Sequence, residues 1–300
     1  MSNTNDLKVF LEKNQFMRTI KNIYTAQYSP IADLITYSPL PNREIQQIDP
    51  FLFLNHHGPQ KYAPHNNGLP FGPHPHRGME TVTFIIEGDI MHKDSAGHQS
   101  VIKAGGIQWM TAGKGLIHAE VSSDEFKENG GDMEILQLWL NLPSKLKMTE
   151  PRYIGLQKDK IPTVSLDSGK ATVNLVSGKW ENTKGAVESL TDIFLSTIHL
   201  QPLAKIDIKV PKEHSIFFYM IRGKLTVNEK KVEMLQLVEF DNDDENLSIE
   251  AETESIILFG HAKPFNQPVV AQGPFVMNTE QEIQDAYNDY RQGKFGVWKE

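Results

Sequence analysis

Gly68-Leu69-Pro70-Phe71-Gly72-Pro73-His74-Pro75-His76-Arg77-Gly78-Met79-Glu80 is answered, 42 residues after its second histidine, by His118-Ala119-Glu120. On a β-strand, residues two apart share a face, so each pair aims two ligand side chains one way. The segment between them reads as short strands and turns that bring the pairs face to face inside an antiparallel barrel. Three imidazoles and one carboxylate converging there suit Fe(II), Mn(II), Ni(II), Cu(II) or Zn(II). A His-x-His pair is also a common polar surface feature, and the chain has 11 histidines. Gly68, and Gly113 with Gly115 ahead of His118, tip the reading toward a metal. Such glycines supply the turns that present ligands at a barrel mouth.

Strand signals surround this block. Pro39, Pro41, Pro50, Pro59, Pro64, Pro70, Pro73 and Pro75 exclude long helices up to Thr81. Thr81–Ile86 is β-branched and ends at Glu87-Gly88-Asp89, a hairpin-type turn. Ile90–Lys93, Ser100–Lys103, Ile107–Thr111 and Glu134–Leu140 follow, and Pro143–Pro151 reads as a linker. The rhythm then repeats: Val173–Val176, Ile193–Leu200, Ile206–Val210, Ser215–Ile221, Lys224–Val227, Gln236–Glu239 and Ser255–Phe259. Ser215–Gly223 matches Glu80–Gly88 in length and place, which implies an all-β chain of two tandem barrels from one duplicated unit.

Residues 1–30 read as an N-terminal extension with a weak helical pattern over Asp6–Asn14. Residues 31–145 form the metal-binding barrel, and residues 150–300 a second barrel. Aligning Gly88 with Gly223 places Lys209 at His74 and Pro211 at His76, so the second barrel has lost the metal and one ion per chain is expected. Asn242–Glu245 reads as a solvated acidic turn. Near the end, Thr279-Glu280-Gln281-Glu282 is a capping box. Ile283, Ala286, Tyr287 and Tyr290 then make the apolar stripe of a short C-terminal helix, with Gly293 as its stop.

Composition sets the outer bounds. Hydrophobic residues at 39% and charged residues at 23% fit a globular protein with a sizeable core. The chain has no cysteine, which excludes disulfides, cysteine zinc sites and a thiol nucleophile. No apolar run reaches a membrane span, and the opening residues lack the order of a secretory signal. A net charge of −8 disfavours direct contact with nucleic acid or anionic membrane. A cytoplasmic monomer is the expectation.

Gly68–Glu80 with Gly113–Glu120 is similar to the cupin metal motifs. More narrowly, Asp49–Pro59, His74-Pro75-His76-Arg77-Gly78, Trp109-Met110-Thr111-Ala112-Gly113-Lys114-Gly115, Leu136–Pro143 and Gly273–Thr279 resemble the pirin family, in family order over roughly residues 35–295. The resemblance implies two jelly-roll-type cupin barrels with one divalent metal, usually iron, in the first. General cupins often use the glutamate of the first motif, here Glu80. Pirins take the glutamate after the third histidine, so the resemblance assigns His74, His76, His118 and Glu120 as ligands. Glu80 is the alternative, with a hydrogen-bonding role favoured for it. The chain departs from the family at His57, which replaces an aromatic and is expected to pack in the barrel wall, and at His261, expected at the surface.

That resemblance also implies an activity. It points to a dioxygenase opening flavonols such as quercetin with O2 and release of carbon monoxide, with Glu120 accepting the 3-hydroxyl proton. The rival reading is an iron-binding regulatory protein that acts through a protein partner. A third is that another small aromatic enolic metabolite is the substrate, since cupins host many chemistries.

Overall fold

The computed structural model describes residues 16–299. Strands dominate, joined by two α-helices, Asp124–Asn129 and Glu280–Arg291, among the described residues. The helical pattern over Asp6–Asn14 lies outside them. No described helix is long and apolar enough to cross a membrane.

Each half builds a barrel from one seven-stranded and one four-stranded antiparallel sheet. In the first half the large sheet runs Arg152–Leu156, Ile107–Thr111, Met79–Glu87, Gly131–Asn141, Phe51–Tyr62, Thr36–Leu40 and Gln27–Tyr28. Facing it are Phe71–His76, Leu116–Val121, Asp89–Asp94 and Gln99–Lys103. The second half repeats this with Ser215–Arg222 in the large sheet and Lys205–Lys209 beside Asn246–Ala251 in the small one. The all-β, two-barrel expectation holds. Two edge strands cross the chain's apparent divisions. Ile20–Thr25, from the leading segment, pairs with Gln236–Phe240 of the second barrel. Arg152–Leu156, after the linker, pairs with Ile107–Thr111 of the first.

Period-two alternation decides which way each side chain points. On Met79–Glu87, Val82 and Phe84 face outward into a core shared with Phe217, Tyr219 and Ile221 of the second barrel. The intervening Ile85 joins the first barrel's interior cluster with Ile90, Ile102 and Ile135. Phe218 and Met220 do the same for the second barrel. Both faces of these strands are therefore buried, which is why Ser215–Ile221 reads as an unbroken apolar run.

A buried polar chain stitches the shared core. His56 Nδ1 lies 2.9 Å from the Tyr219 hydroxyl, and its Nε2 lies 2.9 Å from Glu134 Oε1. Arg222 donates to the other oxygen of Glu134. Both His56 and Glu134 are fully buried, so each depends on these partners for its polar atoms.

After the second barrel the chain returns to the first. The hairpin Val270–Gln272 and Phe275–Met277 lies against it, with Val276 N donating to Arg77 O. Gly78 allows the approach: its φ is +82°, and a Cβ there would sit 2.0 Å from Val276 O. The buried Lys147 ammonium donates to Gly78 O, Asn141 Oδ1 and Val276 O at 2.8–3.0 Å. Burial pulls its pKa down to about 8. The final helix carries the expected capping box: Thr279 Oγ1 accepts from Glu282 N, and Glu282 Oε2 accepts from Thr279 N.

Candidate metal centre

Phe71–His76 is an edge strand of the small sheet, one of the places where a strand tolerates prolines. Its neighbour Leu116–Val121 sets His118 opposite His74 and Leu116 opposite His76. Gly68, Gly113 and Gly115 all take positive φ in the flanking turns, as the sequence pattern anticipates.

The three imidazoles converge. Their ring centroids lie 4.4–4.9 Å apart, and one nitrogen from each falls within 4.8 Å of the other two. His118 Nε2 is 3.0 Å from His74 Nε2. His74 Nδ1 donates to Gly72 O at 2.7 Å, and His76 Nδ1 donates to Pro274 O at 3.1 Å. Those bonds fix the tautomers and leave the Nε2 lone pairs for the centre. His76 Nε2 is buried with no hydrogen-bond partner. Burial, then the neighbouring imidazole of His74, pushes the His76 pKa down to about 3. Burial, followed by His76 and His74, pushes His118 well below its ordinary value. Three converging imidazole nitrogens, with His76 and His118 held neutral and His76 Nε2 unpartnered, fit a divalent transition ion. Among the described residues this is the one such grouping of three or more His, Cys, Asp or Glu side chains.

Glu120 follows His118 on the same strand and is buried, outside that mutual cluster. One carboxylate oxygen accepts from Thr83 Oγ1 at 2.7 Å and the other from Gln137 Nε2. Glu80 sits elsewhere. It shares a face with Val82 and Phe84, toward the second barrel, and its Oε1 accepts from Trp109 Nε1 at 3.0 Å and Thr111 Oγ1 at 2.6 Å. Its Oε2 is buried without a partner, and burial raises its pKa against those two bonds.

Several residues near the cluster escaped the sequence reading. Trp139 packs edge-on to His76 at 5.2 Å and stacks on Phe53 at 4.5 Å. His92 is fully buried, lies 5.5 Å from the His118 ring, stacks on Tyr153 at 3.8 Å and holds Asp94 through Nε2 at 3.0 Å. Burial raises Asp94, but the bonds from His92 and His98 prevail and hold it at about 2. The signal for His92 and Asp94 was present: polar residues two apart on a strand otherwise apolar on that face. Pro274, by contrast, lies 198 residues from His76, and no local pattern links them.

Two expectations change. His261 is not a free surface residue: its ring stacks flat on Phe194 at 4.7 Å, and its Nδ1 lies 2.9 Å from His214 Nδ1. In the second barrel, the positions facing the interior are Ile206, Ile208 and Val210, with Leu247 and Ile249 opposite. Lys209 points outward and is exposed. The counterparts of His74 and His76 are thus Ile208 and Val210, one place away from Lys209 and Pro211, because the connection into the next strand is one residue longer. His57 does pack in the wall, its Nδ1 2.8 Å from Thr36 Oγ1.

Residues 34–140 match the family described as Pirin, and residues 195–296 match the Pirin C-terminal cupin domain. Human pirin is 35% identical over 274 residues, covering 85% of this chain and 88% of that protein. A pirin-like protein of Caulobacter vibrioides is 35% identical over 254 residues, covering 84% of this chain and 89% of its own. A solved structure of a quercetin 2,3-dioxygenase from Acinetobacter baumannii superposes with a TM-score of 0.88 at 34% identity, covering 94% of this chain and 99% of that one.

Proposed function

The chain belongs to the pirin family, and from that premise we propose a metal-dependent dioxygenase that opens flavonols such as quercetin with O2 and releases carbon monoxide. The observation that carries the reading is the convergence of three imidazoles on one point, two of them, His76 and His118, buried and held neutral by burial. Similarity to the Acinetobacter baumannii quercetin 2,3-dioxygenase supports the substrate class.

His74, His76 and His118 hold one ion in the first barrel, with Glu120 as the fourth protein ligand. Iron(II) is the first choice; manganese, nickel, copper and zinc suit the same donors. The ion, when bound, supplies the Lewis acidity that makes a flavonol 3-hydroxyl easy to ionise. Glu120 takes that proton, and the barrel wall around it keeps bulk water from competing. Gly72 O and Pro274 O keep two of the imidazoles in the ligating tautomer. The aromatic surface of Trp139 and Phe53 beside His76 gives a flat phenolic ring something to lie against.

The test uses protein loaded in turn with Fe(II), Mn(II), Ni(II) and Cu(II), each form checked for full occupancy. At least one form consumes O2 and releases carbon monoxide with quercetin, and none does so anaerobically. If every loaded form is inert, the dioxygenase reading gives way to an iron-binding protein that acts through a partner.

A further inference from the structure

Thr83 and Gln137 are cross-strand partners on adjacent strands of the large sheet, side by side on its interior face. Both donate to Glu120, one to each carboxylate oxygen. The orientation of the Gln137 amide is fixed from behind. Trp139 Nε1, which can only donate, meets Gln137 Oε1 at 3.4 Å, so the Gln137 NH2 faces the carboxylate. All three side chains come from the wall opposite the strand that carries His118 and Glu120. The same wall brings Trp139 against His76. Glu120 is buried, so without these donors its charge would face the interior uncompensated.

From this arrangement we propose that Thr83 and Gln137 are positioning residues that build a second, off-metal seat for the Glu120 carboxylate. This inference rests on the reading that Glu120 serves as a ligand. The seat and the ion compete for the same side chain, because the carboxylate held by Thr83 and Gln137 lies outside the cluster of ligating nitrogens. The pair therefore keeps Glu120 the loosest of the four protein ligands. It can leave the ion without stranding a bare charge in the barrel, and it returns to one defined place.

Competition has a direction that an ordinary supporting role lacks. Donors that merely orient a ligand strengthen metal binding, and their removal typically costs about 10–100-fold in affinity. Donors that hold a ligand off the metal weaken binding, and their removal strengthens it.

The experiment titrates Co(II) into metal-free full-length protein at one fixed pH for all variants. Both the dissociation constant and the visible d–d absorption are recorded for wild type, Thr83→Val, Gln137→Met, the double variant, Thr83→Ser and Glu120→Gln. The double variant binds Co(II) about tenfold tighter, opposite in sign to the about 10–100-fold loss that follows removal of an orienting donor. Its spectrum shifts toward the higher-coordinate form as Glu120 stays on the ion. Thr83→Ser, which restores the hydroxyl, returns to wild-type affinity and spectrum. Equal or weaker binding by the double variant, with Glu120→Gln also weakened, overturns the seat while leaving Glu120 a ligand. Unchanged affinity and spectrum in Glu120→Gln instead remove Glu120 from the ligand set, and the seat falls with it. Thr83→Val alone keeps the side-chain shape and decides the matter if the double variant does not fold.

Discussion

His57→Phe separates burial from charge at a single position in the barrel wall. His57 is 2% exposed, its Nδ1 sits 2.8 Å from Thr36 Oγ1, and its ring lies 5.1 Å from that of Phe71. Burial, with a smaller contribution from His56, lowers its pKa from 6.5 to about 3. In that window the unfolded chain takes up a proton that the folded chain refuses, so stability falls as pH drops below 6.5 and levels off near the folded value. At about pH 5 the cost is about 2 kcal/mol, from about 1.4 kcal/mol per pH unit. Phenylalanine fills the slot without titrating but forfeits the Thr36 bond, worth about 1 kcal/mol. Urea unfolding of both proteins with a chelator present, at about pH 7.5 and about pH 5, isolates the effect, since every other histidine contributes equally to both. The variant is the less stable at the higher pH, and its position relative to wild type improves by about 2 kcal/mol at the lower. A gap that stays the same at both pH values refutes the claim that His57 is held neutral by burial.

Other outcomes follow from the same structure. Tyr219→Phe keeps the packing between the barrels but strands His56 Nδ1, and should cost about 1–3 kcal/mol in urea unfolding; no loss would mean the polar chain is not what couples the halves. His76→Ala or His118→Ala should abolish tight metal binding by equilibrium dialysis, whereas Glu80→Gln, on the outward face, should retain most of it. Gly78→Ala must push its Cβ off Val276 O. It should lower the thermal midpoint and expose the C-terminal hairpin to proteolysis, and an unchanged digest would show that the approach is not tight.

The convergence of the three imidazoles was legible because it depends on short-range pattern. His74 and His76 share a face by alternation, His118 follows a glycine turn, and the Thr279–Glu282 box caps the final helix as its spacing requires. Long-range pairing was harder to see. Nothing near Ile20–Thr25 signals that it completes the second barrel's sheet, and nothing near Pro274 signals that its carbonyl orients His76. Register failed by one residue in the second half: a turn of different length shifts alternation, and a shift of one swaps the faces of a strand. Lys209 and Pro211 were thus read at places that Ile208 and Val210 occupy, though apolar residues there argue still more firmly against a second ion. The helix Asp124–Asn129, one and a half turns capped by Ser123, is too short to leave a periodic signature.

Anomalous diffraction from crystals of the metal-loaded protein, collected at the absorption edge of the added ion, tests the metal centre itself. One peak per chain is expected at about 2.0–2.2 Å from the Nε2 atoms of His74, His76 and His118, with none in the interior of the second barrel. A peak bound elsewhere, a second ion among Ile206, Ile208 and Leu247, or no peak in protein shown to be loaded would contradict it.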